Sequence, residues 1–490
     1  MHALKPKRMT MRRLTFSLNW LLSRASAATL DPRTIASLIP VAYCLMFWNN
    51  LVEIDAAGNA TPELAESWES KPGATEWIFN IRKGITFGSG KTLDADDVIY
   101  SLNLHRGESK SPAKSILEPI KEIKKTSPNQ IQITLSSGNA DLPFVFSDFH
   151  LMIVPAGTTD FSKPDGTGAY TLVEFSPGTR VLAKRKPGNY WKPGRGNFDM
   201  VELRYITDGT ARTQALVTGQ VDAVNRLDPK TVGFLAKNNS LKVVRNEAAG
   251  SRFAFAAQTD RDPFTSRDLV LALKYGIDRA KIVENVFSGY ATIANDHTIS
   301  PRNKYYNPQQ VQRPYDPDKA AFHLKKSGFS GSVELQVAEG AYNGATDAAI
   351  LFQESAKKAD LGIDIKRVSS DGYWSNVWLK ASFCAVYWST RPTADMQLSQ
   401  AFLTGQPWND THYSNPTLDK LVVDARVELD EAKRKSMYAE CQSLISDEAG
   451  LICYAFGDQL DGCLTKLRGL EPHPRYDMND NRLAEKGWFI

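Results

Sequence analysis

The chain has 490 residues, enough for two to four domains and a substantial buried core. Its 42% hydrophobic and 23% charged residues exclude a disordered chain, and Lys+Arg 59 against Asp+Glu 55 leaves only +4, too little to point to a nucleic acid. The longest strongly apolar run, Ile39–Trp48, has ten residues and cannot span a bilayer.

In chain order, the first feature is a basic segment with Lys5, Lys7, Arg8, Arg12 and Arg13, followed by apolar Leu14–Leu22 and Ala25-Ser26-Ala27. That is the outline of a secretory signal. Leu14-Thr15-Phe16-Ser17-Leu18 also alternates as a first β-strand would, so residues 1–27 read equally as a leader or as the start of the mature fold. No lipid-attachment cysteine pattern follows. Trp77, Phe79 and Ile81 alternate with polar residues and predict a half-buried strand, as do Ile131, Ile133 and Leu135. Asp94 and Asp97 are spaced as a capping box for a helix through Leu102. Asp208 to Gly219 predicts a short helix, Ser266 caps one that continues past Asp278, and Asp316-Pro317 opens one that stops at Gly328. Leu429 to Ala449 is amphipathic, with Met437, Cys441, Leu444 and Ile445 on one face. Strands and helices alternate without a long internal repeat, an α/β pattern.

The motifs mostly exclude chemistry. Gly84 to Thr92 imitates a phosphate-binding loop, but Ile85 stands where its first glycine belongs, and Asp94, Asp96 and Asp97 oppose a polyphosphate. Gly166-Thr167-Gly168 and Gly194-Arg195-Gly196 lack a third glycine and predict turns. The seven histidines have no metal-binding spacing, and no nucleophile elbow exists, so neither a metal nor another cofactor is expected and the chain does not read as an enzyme. Cys44, Cys384, Cys441, Cys453 and Cys463 lack C-x-x-C spacing. Cys453 and Cys463 flank a predicted turn and are a candidate bridge, the alternative being small buried hydrophobes.

One stretch is rich in binding chemistry: Tyr373, Trp374 and Trp378, then Tyr387-Trp388-Ser389-Thr390-Arg391-Pro392 around a predicted strand end. Rings suit clefts as well as cores, and a guanidinium fork matches a carboxylate or phosphate. Trp388 and Arg391 are the favoured pair, with Ser389, Tyr373 and Trp374 beside them. For most of the aromatics around that pair the better reading is structural, with Tyr373, Val377 and Trp378 as the buried face of a helix.

In order along the chain, Leu64-Ala65-Glu66-Ser67-Trp68, Trp77 to Phe87, Asp96-Asp97-Val98, Gly166 to Tyr170, Asn189-Tyr190-Trp191, Gly219 to Asp222, Ala272 to Arg279 and Tyr315 to Ala320 resemble the family 5 extracellular solute-binding proteins, the dipeptide-, oligopeptide- and nickel-binding subunits of ABC importers. The resemblance implies a type II periplasmic-binding-protein-like α/β fold, two main lobes around a hinged cleft plus an inserted lobe. Lobe I would comprise 14–46, 164–259 and 458–490, lobe II 47–163, and lobe III 260–457. It implies a periplasmic monomer that captures a peptide or peptide-like solute, closes on it and delivers it to a membrane permease, without nucleic acid. By family position, Ser26 in the loop after the first strand and Phe253 with Phe255 join the candidate site, the two phenylalanines sharing one face, core or cleft. Peptide-binding relatives carry an aspartate after the pocket tryptophan that grips the ligand's α-amino group. With Trp388 aligned to that tryptophan, Arg391 takes the acid's place, which points to an anionic ligand such as an acidic peptide, an opine or a phosphorylated sugar conjugate.

Overall fold

The computed structural model describes residues 12–16, 29–35, 38–206 and 208–490. They divide into two compact units, one taking the described residues up to Asn246 together with Leu460–Ile490, the other Glu247–Gln459.

The first unit contains a seven-stranded mixed sheet in the order Leu241–Asn246, Gln459–Leu464, Ala223–Val224, Arg12–Phe16, Met200–Tyr205, Arg180–Arg185, Tyr170–Ser176. The alternation read at 14–18 corresponds to the strand Arg12–Phe16, which runs parallel to both of its neighbours. A four-stranded antiparallel sheet, Ala65–Ser70, Glu76–Ile81, Gln130–Leu135 and Ile120–Ser127, has its own core. Trp77, Phe79, Ile81, Ile131, Ile133 and Leu135 are buried on one face of it, as period-two spacing requires. The helix Ala95–Asn103 starts on the predicted capping box of Asp94 and Asp97.

The glycine motifs are structural. Ser89 N–H donates to Asp165 Oδ1 at 2.9 Å, so an acid occupies the place a phosphate would take, and Lys91 pairs with buried Asp97. At Gly166 and Gly168 the chain passes so close to 46–48 that a Cβ would stand 2.2 Å from Phe47 O and 2.4 Å from Met46 O respectively.

Buried charge in this unit is balanced. Lys192 Nζ lies 2.9 Å from Glu53 and 3.1 Å from Glu485, and also pairs with Glu63. Arg482 bridges Glu63 at 2.8 Å and Glu485 at 3.0 Å, while Arg195 and Lys486 complete the coordination of Glu53. Burial works to raise the Glu53 and Glu485 carboxyls, but Lys192 and Arg482 outweigh it and hold both well below the usual range. The network ties the 53–63 segment to 192–195 and to the C-terminal 482–486.

The second unit is built on a six-stranded sheet in the order Ala291–Ile293, Leu451–Gly457, Arg252–Ala257, Phe383–Trp388, Ser332–Val337, Gly362–Arg367. Arg252–Ala257 is hydrogen-bonded on both sides within this sheet, which draws it into the second unit although the sequence grouped residues up to 259 with the first lobe. Ser266 caps Arg267–Gly276 as predicted, but the helix does not continue. Ile277 is extended (φ −92°, ψ 123°), and Asp278 caps a second helix, Arg279–Val286, through Lys281 N–H. Pro317–Ser327 ends on Gly328 at φ 69°, the left-handed stop its sequence predicts. Leu429 to Ala449 becomes the helix Glu431–Glu448 with Cys441 and Ile445 buried. All five cysteines are buried and free. Cys453 and Cys463 sit on strands of different sheets, so the candidate bridge does not form.

Candidate functional site

The strand Phe383–Trp388 is apolar and β-rich, and it ends at Trp388, before the loop 389–391 that leads to Pro392. Its last residue, Trp388, pairs in register with Arg252, the first residue of the neighbouring strand. Beyond it, Thr393 caps the helix Ala394–Phe402 through Met396 N–H. Ser389, Thr390 and Arg391 therefore lie in a short loop fixed at both ends.

Trp388 is 4% exposed. Its indole N–H donates to Asp410 Oδ2 at 3.1 Å, and Trp378 donates to the same oxygen at 3.4 Å. Asp410 Oδ1 is buried without a hydrogen-bond partner. Burial pushes the Asp410 carboxyl up to about 7, with the two indoles opposing that rise. Arg391 is half-buried; its Nε donates to Gln400 Oε1 at 2.6 Å and its Nη1 to Ser389 Oγ at 2.8 Å. The guanidinium lies 5.9 Å from the ring centres of both Trp388 and half-exposed Trp408. Two indoles thus flank a cation that keeps part of its surface in solvent. This part of the sequence prediction comes together: Trp388, Ser389 and Arg391 form one cluster.

The other expected residues lie elsewhere. Tyr373 is 1% exposed, and its hydroxyl donates to Ala385 O at 2.9 Å, so it is a core residue with its polar atom already used. Trp374 is half-buried; it donates to Gly340 O at 3.0 Å and packs edge-on against Trp378 and Tyr387. Phe253 is half-buried, stacks on Phe287 and meets Tyr342 at a tilt with ring centres 4.9 Å apart in each case, and packs against the second unit's hydrophobic cluster. Phe255 is fully buried. Ser26 lies outside the described residues.

Sequence reasoning missed Arg252, Thr390, Trp408 and Asp410. Arg252 Nη1 donates to the hydroxyl of Thr390 at 2.5 Å, joining it to the same loop. The available signal was an arginine heading the otherwise apolar strand Arg252–Ala257. Asp410 gives no local signal, because its indole partners lie 32 and 22 residues away.

The family model of the bacterial extracellular solute-binding proteins, family 5, matches residues 59–410. The chain belongs to that family. This solute-binding protein is 26% identical over 444 residues to the glutathione-binding protein GsiB of Shigella dysenteriae serotype 1, covering 86% of this chain and 85% of GsiB. In fold it is similar to HbpA2 from Haemophilus parasuis (TM-score 0.85, 16% identity, 98% of this chain and 100% of that one). It is also similar to AgaA from A. tumefaciens R10, solved with agropinic acid (TM-score 0.74, 22% identity, 98% and 99% of the two chains). The type II periplasmic-binding-protein-like α/β fold is therefore observed, and the protein is the solute-binding component of an ABC importer. Among the described residues, no helix is long and apolar enough to cross a membrane.

Proposed function

We propose that this protein captures a small peptide-like solute bearing a carboxylate or similar oxyanion in the periplasm. It hands that solute to its permease as a monomer, without chemical conversion and without nucleic acid. Arg391 carries the reading. It stands where the resemblance places the amine-gripping aspartate of peptide-binding relatives, and its fork is held by Gln400 and Ser389 between two indoles. A ligand ammonium there would meet a like charge, whereas an oxyanion would gain a charge-assisted hydrogen bond. The names of relatives support an acid: GsiB is named for glutathione, and AgaA was solved with agropinic acid. The AgaA complex favours a second reading, a non-peptide opine-type acid, in which Arg391 keeps the same role.

The three-lobe division remains part of the proposal. The four-stranded sheet and its separate core support residues 47–163 as the inserted lobe. Closure on ligand is expected from the family resemblance, and a reduced radius of gyration with ligand in small-angle scattering would register it.

Thermal shift on wild type and Arg391→Ala tests the ligand class, using glutathione, agropinic acid, an acidic dipeptide and neutral dipeptides. At least one acid should stabilise the wild type and lose that effect in the variant, with all ligands recovered unchanged. Equal stabilisation of both forms by neutral dipeptides, or no response to any acid, would overturn the proposal.

A further inference from the structure

Four tryptophans, Trp48, Trp77, Trp191 and Trp374, satisfy their indole N–H on a main-chain carbonyl, those of Asp165, Ala74, Thr167 and Gly340, at 3.0 to 3.2 Å. Trp378 and Trp388 differ, because both donate to a single side-chain atom, Asp410 Oδ2. The three residues come from separate segments. Trp378 follows the short helix Tyr373–Asn376, Trp388 ends the strand Phe383–Trp388, and Asp410 lies in the loop ahead of the helix Pro416–Val427. One oxygen with two lone pairs thus ties both rings to one point. Asp410 itself is 3% exposed, and its Oδ1 is buried without a partner, so it acts on the rings rather than on a solute.

Satisfying an indole does not require a carboxyl, as the four main-chain acceptors show. A buried carboxyl with one oxygen unpaired costs stability, so its presence calls for another reason. What the shared oxygen adds is a fixed relation between rings. The Arg391 guanidinium lies 5.9 Å from the Trp388 ring centre. Trp378 meets Trp408 edge-on, with ring centres 6.1 Å apart, and Trp408 is the second ring 5.9 Å from the same guanidinium. Asp410 therefore reaches both rings beside Arg391, one by a direct hydrogen bond and the other through Trp378. Its own loop is anchored next door, where Asn409 Nδ2 donates to Tyr413 O at 2.8 Å.

We propose that Asp410 is a positioning residue for solute recognition: its Oδ2 sets Trp388 directly, and Trp408 through Trp378, as the two rings between which Arg391 meets the oxyanion. Arg391 touches the solute and Asp410 does not. The inference rests on the anionic reading of Arg391 and adds the group that orients the rings around it.

The test uses sulfate as the probe, read by thermal shift of the full chain against sodium chloride at equal ionic strength. It is run at pH 6, below the value of about 7 to which burial raises Asp410, so that Asp and Asn are compared as neutral groups. Wild type should be stabilised by sulfate beyond chloride, and Arg391→Ala should abolish that gain. Asp410→Leu removes the shared acceptor and should weaken the apparent sulfate affinity about tenfold, the lower end of what removing a group that orients metal ligands costs. Asp410→Asn keeps an oxygen for both indoles and should stay within about threefold of wild type. A merely structural Asp410 would lower the melting temperature of the Leu variant and leave its sulfate affinity at the wild-type value. That result overturns the proposal, and the Arg391 reading stands if Arg391→Ala still loses sulfate. Equal weakening in the Leu and Asn variants also overturns it, because the acceptor oxygen would not be what matters. No gain from sulfate in wild type, or an equal gain in Arg391→Ala, defeats the Arg391 reading and the positioning role with it. Should Asp410→Leu not fold, Trp378→Phe, which keeps a ring against Trp408 but loses the bond to Asp410, must weaken sulfate about threefold for the proposal to survive.

Discussion

Lys192 and Arg252 are both buried cations, one in each unit, and their surroundings differ in kind. Lys192 pairs with the three carboxylates of Glu53, Glu63 and Glu485, and those acids are shared in turn with Arg195, Arg482 and Lys486. Arg252 has carbonyls, hydroxyls and a neighbouring arginine. A balanced network holds segments together and leaves nothing for a ligand to neutralise. A buried cation held by neutral acceptors keeps part of its desolvation cost. The contrast separates a buried cation neutralised by carboxylates from one satisfied by neutral groups.

The sharpest way to break the contrast is Arg482→Met. Removing Arg482 leaves Glu63 with Lys192 and Glu485 with Lys192 and Arg195, a buried cluster short of one cation, which should cost about 3–5 kcal/mol in urea denaturation while leaving acid binding by the folded protein unchanged. A small cost would mean that the network is not what fastens 53–63 to the C-terminal segment.

The pH response should differ between the units. Glu53 and Glu485 have depressed folded values, so their stabilisation is present above the ordinary glutamate range and is lost as pH falls through and below it. Asp410 is the reverse case. Its folded value is raised to about 7, so its favourable contribution is present below the ordinary aspartate range and is lost as pH rises through about 7. Asp410→Asn should therefore gain stability relative to wild type at pH 8 but not at pH 4. The gain should be a few kcal/mol, because each tenfold change in proton affinity on folding is worth about 1.4 kcal/mol. Chemical denaturation at the two pH values reads this directly, and parallel curves would refute it.

Arg391→Ala should change stability by no more than about 0.5 kcal/mol, as for a partly exposed side chain, while weakening acid binding tenfold or more in a calorimetric titration. Tyr373→Phe sharpens the core assignment with the smallest effect on binding. Loss of the hydrogen bond to Ala385 O should cost about 1 kcal/mol in thermal denaturation without altering ligand affinity.

Much of the local architecture was legible in the sequence. Asp94, Ser266, Asp316 and Gly328 mark helix ends by side-chain capping or left-handed backbone, which operate within four residues. The alternation at 77–81 and 131–135 marks one buried sheet face. The break at Ile277 was missed because Asp278 also fits a continuing helix, and only its bond to Lys281 N–H shows that it starts a new one. The candidate site was half legible. Trp388, Ser389 and Arg391 are adjacent in sequence, so their cluster could be anticipated. Thr390 reaches Arg252 across 138 residues through strand pairing, and no periodicity encodes that register. Tyr373 and Phe253 show the opposite limit: an aromatic in a binding-rich segment has the same local pattern whether its ring faces solute or core.

The central claim is that an oxyanion, recognised through Arg391, is what this solute-binding protein selects. The most direct measurement is a calorimetric cycle with the acid that gives the largest thermal shift and its primary amide, each titrated into wild type and Arg391→Ala. The account predicts that wild type prefers the acid by at least about tenfold, equivalent to about 1.4 kcal/mol, and that the variant does not discriminate. An equal preference for the acid in both proteins, or tighter binding of the amide by wild type, would contradict it.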